Sequence, residues 1–151
     1  MPPEPHSRTS RLQVAGRLLL GAFLAFAGIG HLTTQREEFQ AQVPAWFPAD
    51  PDLVVIVSGV LEIALGVALI ALPGRRVAVG LATAAFFVAI FPGNVAQWIE
   101  GTDAFGLDTD AQRFARLFFQ PVLVAWALWS TGAGGALARW ARGRMSDTRA
   151  G

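Results

Sequence analysis

The chain has 151 residues, 53% of them hydrophobic and 15% charged, where a typical soluble domain carries about 25% charged residues. That balance excludes a disordered chain and argues against a soluble enzyme, leaving one integral membrane domain as the expected class. The formal net charge of +1, with no basic stripe, argues against a nucleic-acid partner.

Cysteine is absent. This excludes disulfides, thiolate nucleophiles, iron–sulfur clusters, Cys-ligated zinc and thiol–disulfide exchange. Of two histidines, His6 lies in a Pro-rich stretch, so only His31 is placed to serve a site. A bis-His haem or a His-built metal centre within one chain is therefore not expected. All 12 basic residues are arginine, a compositional bias rather than chemistry.

Residues 1–11 read as a disordered cytoplasmic tail. Four apolar segments follow, at 12–32, 53–72, 77–98 and 114–131. Each is near the roughly 20 residues that a helix needs to cross about 30 Å of hydrocarbon. Lipid offers no partner to open backbone groups, so the spans are helices. The apolar residues run all round these helices, which favours membrane over a buried soluble bundle. The first segment is long for a cleaved signal peptide, and three more spans follow it. Residues 12–132 thus form an all-α, integral membrane four-helix bundle, and 133–151 a basic cytoplasmic tail.

Arginine placement orients the spans. Arg8, Arg11 and Arg17 precede or open the first, Arg75 and Arg76 fill the tight second connection, and Arg139, Arg142, Arg144 and Arg149 follow the fourth. The other two connections carry Arg36 and Arg113 among the acids Glu37, Glu38, Asp50, Asp52, Glu100, Asp103, Asp108 and Asp110. The positive-inside rule then puts both termini in the cytoplasm of a cell (inner) membrane.

The first outer loop, with Phe39, Trp46 and Phe47 beside prolines, suits the headgroup region. In the second, Thr109-Asp110-Ala111-Gln112 reads as a capping box opening the fourth helix. Arg113 reads as snorkelling at the interface. The basic stretch around Trp140 reads as a surface-lying segment on the cytoplasmic side.

Ionisable and amide side chains within spans are costly and need an account. They are His31, Glu62, Asn94, Gln97, Arg116 and Gln120. With the orientation above, all six fall in the outer half or at the midplane, and the inner half holds almost none. Asn94 and Gln97 are i, i+3 and share a helix face; Arg116 and Gln120 are i, i+4 and share another. Pro92 and Pro121 each free a backbone carbonyl nearby. The expectation is a polar pocket open toward the outer side, with Glu62 as its floor and Arg116 as counter-ion to Glu62. Two alternatives stand beside it. Glu62 is a neutral, protonated acid, or the six are interhelical glue worth about 1 kcal/mol per hydrogen bond. His31 taken alone reads as a solvated or capping residue. Gly59 with Gly66, and Ala64 with Ala68, offer small faces for close helix packing.

The chain resembles the DoxX-like family of small bacterial four-span membrane proteins. The residues that carry the resemblance are Ala27-Gly28-Ile29-Gly30-His31-Leu32, Ser58-Gly59-Val60-Leu61-Glu62-Ile63-Ala64-Leu65-Gly66, Pro92-Gly93-Asn94-Val95-Ala96-Gln97 and Arg116-Leu117-Phe118-Phe119-Gln120-Pro121, within residues 12–131. The resemblance implies a redox-associated subunit, since relatives include a small subunit of a thiosulfate:quinone oxidoreductase and proteins that associate with secreted redox enzymes. It supplies no catalytic residue set. A quinone or similar lipophile fits such a pocket, with Gln97, Gln120 or His31 as donors to its oxygens. The competing expectation is a non-catalytic scaffold that holds an extracytoplasmic or membrane protein partner through its acidic loops.

Overall fold

The computed structural model describes residues 9–150, with side chains for 9–145. Most of the expected N-terminal tail, with His6 and Arg8, lies outside the described residues, as does the side chain of Arg149. All regular structure among the described residues is helical: α1 (Arg11–Leu32), α2 (Arg36–Gln40), α3 (Pro51–Ala71), α4 (Arg76–Glu100), α5 (Asp110–Leu117), α6 (Phe119–Thr131) and α7 (Ala133–Ala150).

Local chemistry sets the ends. Ser10 and Gln13 form a capping box at the start of α1, an N-terminal signal that hydropathy does not reveal. Asp50 caps α3 by accepting from the Leu53 N–H, and Pro51 takes the first helical position, where no N–H is needed. A 3-10 turn, Pro73–Arg75, joins α3 to α4. Gly101, at φ 65°, ends α4. Thr109 and Gln112 form the expected capping box.

The fourth apolar segment departs from the expected single helix over 114–131. It begins earlier, at Asp110, and breaks at Phe118, whose N–H reaches back only to the Ala115 and Arg116 carbonyls. Pro121 explains the break, because it has no N–H to give the Leu117 carbonyl. After Gly132, at φ 76°, the chain turns by 85° into α7.

α1, α3 and α4 with its preceding turn are long and apolar enough to cross a membrane. The α5–α6 stretch meets that criterion together with α7, across the bend. The outward faces are apolar as well: Phe26 is 74% exposed and Phe119 67%.

The long helices pack antiparallel to their neighbours. Gly21 meets Gly66 and Gly28 meets Gly59, so α1 and α3 touch backbone to backbone. A Cβ added at Gly28 would lie 2.5 Å from the Gly59 carbonyl oxygen. Gly80 of α4 lies against Thr131 of α6. Trp126 Nε1 donates to the Gly16 carbonyl (2.9 Å), and Gln13 Nε2 to that of Trp129 (2.9 Å), tying α6 to α1. One end of the assembly therefore holds the starts of α1 and α4 and the ends of α3 and α6, with Arg75 and Arg76. The other holds the acidic connections.

Near the arginine-rich end the core is Leu20, Leu24, Leu69, Ala84, Phe87 and Ala127. The expectation that this half is nearly free of polar side chains is corrected. It buries Arg17, Thr83, Ser130 and Thr131. Arg17 donates to the Leu69 carbonyl, Thr83 to Val79 O (2.8 Å) and Thr131 to Ala127 O (2.6 Å). Backbone carbonyls, which no sequence pattern marks, satisfy Arg17, Thr83 and Thr131.

Candidate functional site

Beyond the apolar core, toward the acidic end, the helices enclose a cavity of about 370 Å³. Leu24 and Phe87 belong both to the core and to the cavity lining, and so form its floor. His31, Glu62 and Ser58 line one side from α1 and α3; Asn94, Gln120 and Arg116 line the other from α4, α6 and α5.

His31 and Glu62 make a buried pair. His31 is 6% exposed and Glu62 5%. Their Nε2 and Oε2 atoms are 3.5 Å apart. The glycine seam sets the levels: Gly21 with Gly66 and Gly28 with Gly59 place Glu62 opposite Ala25. His31 lies further along α1, by about 9 Å of rise. Each Cα–Cβ bond leans toward its own helix N-terminus. In antiparallel helices His31 and Glu62 therefore lean toward each other and meet.

Arg116 as counter-ion to Glu62 is thereby corrected; no ion pair joins them. Arg116 leans the same way as Glu62, toward the acidic end, and its guanidinium lies 4.9 Å over the Phe105 ring. Because arginine can only donate, the Gln42 amide turns its oxygen toward it, at 2.7 and 2.6 Å from the two terminal nitrogens. Reading His31 as a solvated or capping group is likewise corrected by its burial.

Asn94 Nδ2 donates to Gln120 Oε1 (2.9 Å), and Gln120 Nε2 donates to the Phe87 carbonyl (2.6 Å). Gln97 is buried but does not line the cavity. It sits one turn beyond Asn94 and donates to the Thr102 carbonyl (3.3 Å), holding the connection after α4.

The acidic connections cover the cavity. Phe39 of α2 packs against His31, with centroids 3.4 Å apart and the rings tilted by 43°, and meets Phe105 edge to face, at 4.7 Å. His31, Phe39, Phe105 and Arg116 thus form a continuous row. Glu38 accepts from the Phe105 N–H, and Phe105 itself sits at φ 56°, rare for a non-glycine residue. Arg36 grips Asp52 with two hydrogen bonds of 2.5 Å, which raises the Arg36 pKa above its ordinary value and pins α2 to α3. Gly93 has no Cβ, and one built there would lie 2.8 Å from the Gln42 carbonyl oxygen, so the strap from α2 to α3 presses directly on α4. Arg113 is buried and does not snorkel: it pairs with Asp103 (2.5 Å) and Asp110 (2.7 Å) and donates to the Leu107 carbonyl.

Sequence reasoning missed Gln42, Phe39, Phe105 and Ser58 in the lining. Ser58 is four residues before Glu62 on the same face, which spacing alone can find. The other three come from connections, where no periodicity exists to read.

The arrangement defines a class: a helical protein with three to four apolar helices of membrane-crossing character and, toward one end, a mostly apolar cavity that carries a few polar side chains. A family model described as a domain of unknown function (DUF8561) matches residues 20–131, and the chain belongs to that family. Comparison with curated proteins finds no match. Comparison with solved structures finds none either.

Proposed function

We infer that this chain is a four-span protein of the bacterial inner membrane, with both termini cytoplasmic, that holds a lipophilic ligand with a polar head in its cavity. A quinone or a similar amphiphile is the ligand class, and a redox-associated membrane complex is the setting; the DoxX-like resemblance supports the setting. One observation carries the binding reading. Glu62 Oε2 is buried at the cavity wall with no hydrogen-bond partner among the described residues, and His31 Nε2 stands off at 3.5 Å. A buried polar atom left without a partner costs about 1–3 kcal/mol, so a group kept in that state calls for an occupant. The volume lies within the 300–1,000 Å³ range of small-molecule sites. The scaffold alternative assigns the acidic loops to partner docking, but Asp103, Asp110 and Asp52 already hold Arg113 and Arg36.

Extraction tests the binding reading. Protein purified in mild detergent is expected to release a lipophile in near-stoichiometric amount by mass spectrometry. Ala27 lines the cavity, and Ala27→Trp is expected to fill it and deplete the extract. An extract with nothing above the level of the filled variant overturns the reading.

The absence of native cysteine makes orientation directly measurable. In intact cells a membrane-impermeant maleimide is expected to label Asp108→Cys, and to label Gly74→Cys only after permeabilisation. The opposite pattern overturns the proposed orientation.

A further inference from the structure

The charge of the cavity identifies the head of its ligand more closely. His31 Nδ1 lies 3.3 Å from the Val55 carbonyl oxygen, which can only accept, so Nδ1 carries the hydrogen. In the neutral ring Nε2 is then a bare lone pair, and it faces Glu62 Oε2 at 3.5 Å. A carboxylate facing that lone pair would be repelled. Two arrangements avoid this repulsion, acid with imidazole or carboxylate with imidazolium. Both forms carry no net charge.

Arg116 remains. Its charge is permanent. Asp103 and Asp110 are taken by Arg113, and Asp52 by Arg36, and among the described residues none of the ion pairs includes Arg116. Its contacts are the neutral Gln42 oxygen and the Phe105 ring. The cavity thus presents one uncompensated positive charge beside apolar walls, where a lone charge is costly and an anion is strongly favoured.

Resting on the ligand-binding reading above, we propose that the cavity takes a single-chain amphiphile with an anionic head, a carboxylate or a phosphate monoester, paired with Arg116 beneath Phe105. The chain lies over Leu24 and Phe87. The single chain follows from the volume, near the lower bound of small-molecule sites. Gln42, Asn94 and Ser58 supply neutral hydrogen-bonding groups around the head. A planar guanidinium is well matched to either anion, which it grips with two parallel N–H donors.

The test compares four probes on the delipidated full chain in a non-ionic detergent, by native mass spectrometry: oleic acid, oleyl alcohol, oleoyl lysophosphatidic acid and decylubiquinone. The first two differ only in the head. Wild type is expected to bind oleic acid at least about 10-fold more tightly than the alcohol. Arg116→Gln is expected to bring the two within about 2-fold, chiefly by weakening oleic acid binding. Retained alcohol binding also shows that the variant is folded. Arg116→Lys keeps the charge and is expected to retain most of the preference. Tighter binding of the lysophosphatidic acid than of oleic acid, also lost in Arg116→Gln, supports the anionic head and assigns it to phosphate. The reverse order supports it and assigns it to carboxylate. Equal binding of acid and alcohol, or tightest binding of decylubiquinone, overturns the anionic head while the cavity reading stands. No binding of any probe overturns both.

Discussion

Gly28→Val is expected to destabilise the protein by about 3 kcal/mol or more, the upper part of the range for overpacking a tight interior. The added Cβ would meet the Gly59 carbonyl oxygen at 2.5 Å, Ile63 Cγ1 at 2.8 Å and the Ile63 backbone nitrogen at 3.0 Å. Two of these three are backbone, so no rotamer change relieves the clash and α1 must move away from α3. Displacement of α1 also separates His31 from Glu62. Gly74→Ala is the matched control, because nothing lies within 4 Å of a Cβ there; its effect is expected within about 0.5 kcal/mol. Thermal unfolding of the detergent-solubilised protein measures both. Equal midpoints for the two variants would show that the glycine seam is not a close contact.

The second large effect concerns the His31–Glu62 pair and is read as a cycle. His31→Leu removes the group facing Glu62 and leaves a buried acid alone, at an expected cost of about 3 kcal/mol. Glu62→Leu strands His31 Nε2 at a cost of the same order, about 1–3 kcal/mol. The double variant removes both polar groups. It is expected to be more stable than the sum of the singles implies, by about 1–3 kcal/mol. Glu62→Gln supplies an amide N–H to the same lone pair and is expected to stay within about 1 kcal/mol of wild type. Strictly additive single effects would show that the two side chains do not interact.

Much of the fold was legible in the chain because lipid restricts the options. Long apolar runs and charged connections locate the helices to within a few residues, and the capping box at Thr109 marks a start that hydropathy places four residues late. Placing the in-span polar residues by depth brought His31, Glu62, Asn94, Arg116 and Gln120 to one cavity. Depth says nothing of lean, however. Glu62 and Arg116 lie on helices whose Cβ bonds both tilt toward the acidic end, so neither turns to meet the other, and His31, on a helix of opposite direction, becomes the partner. Arg113 was misread for another reason. Asp103, one of its acids, lies ten residues upstream in an irregular connection, where spacing carries no geometry. The same holds for Phe39, Gln42 and Phe105, which reach the cavity from segments with no repeat to follow.

The two walls of the cavity also differ in how they can yield. On the α1–α3 side, main chain rests on main chain through paired glycines, so that wall behaves as a stiff plate. Opposite it, the helix that bears Arg116 is interrupted at Phe118, where a rung of the hydrogen-bond ladder is lost above Pro121. Compliance is therefore concentrated at one joint. Any change in the cavity's width falls on the wall that carries Arg116, while the His31–Glu62 pair keeps its place.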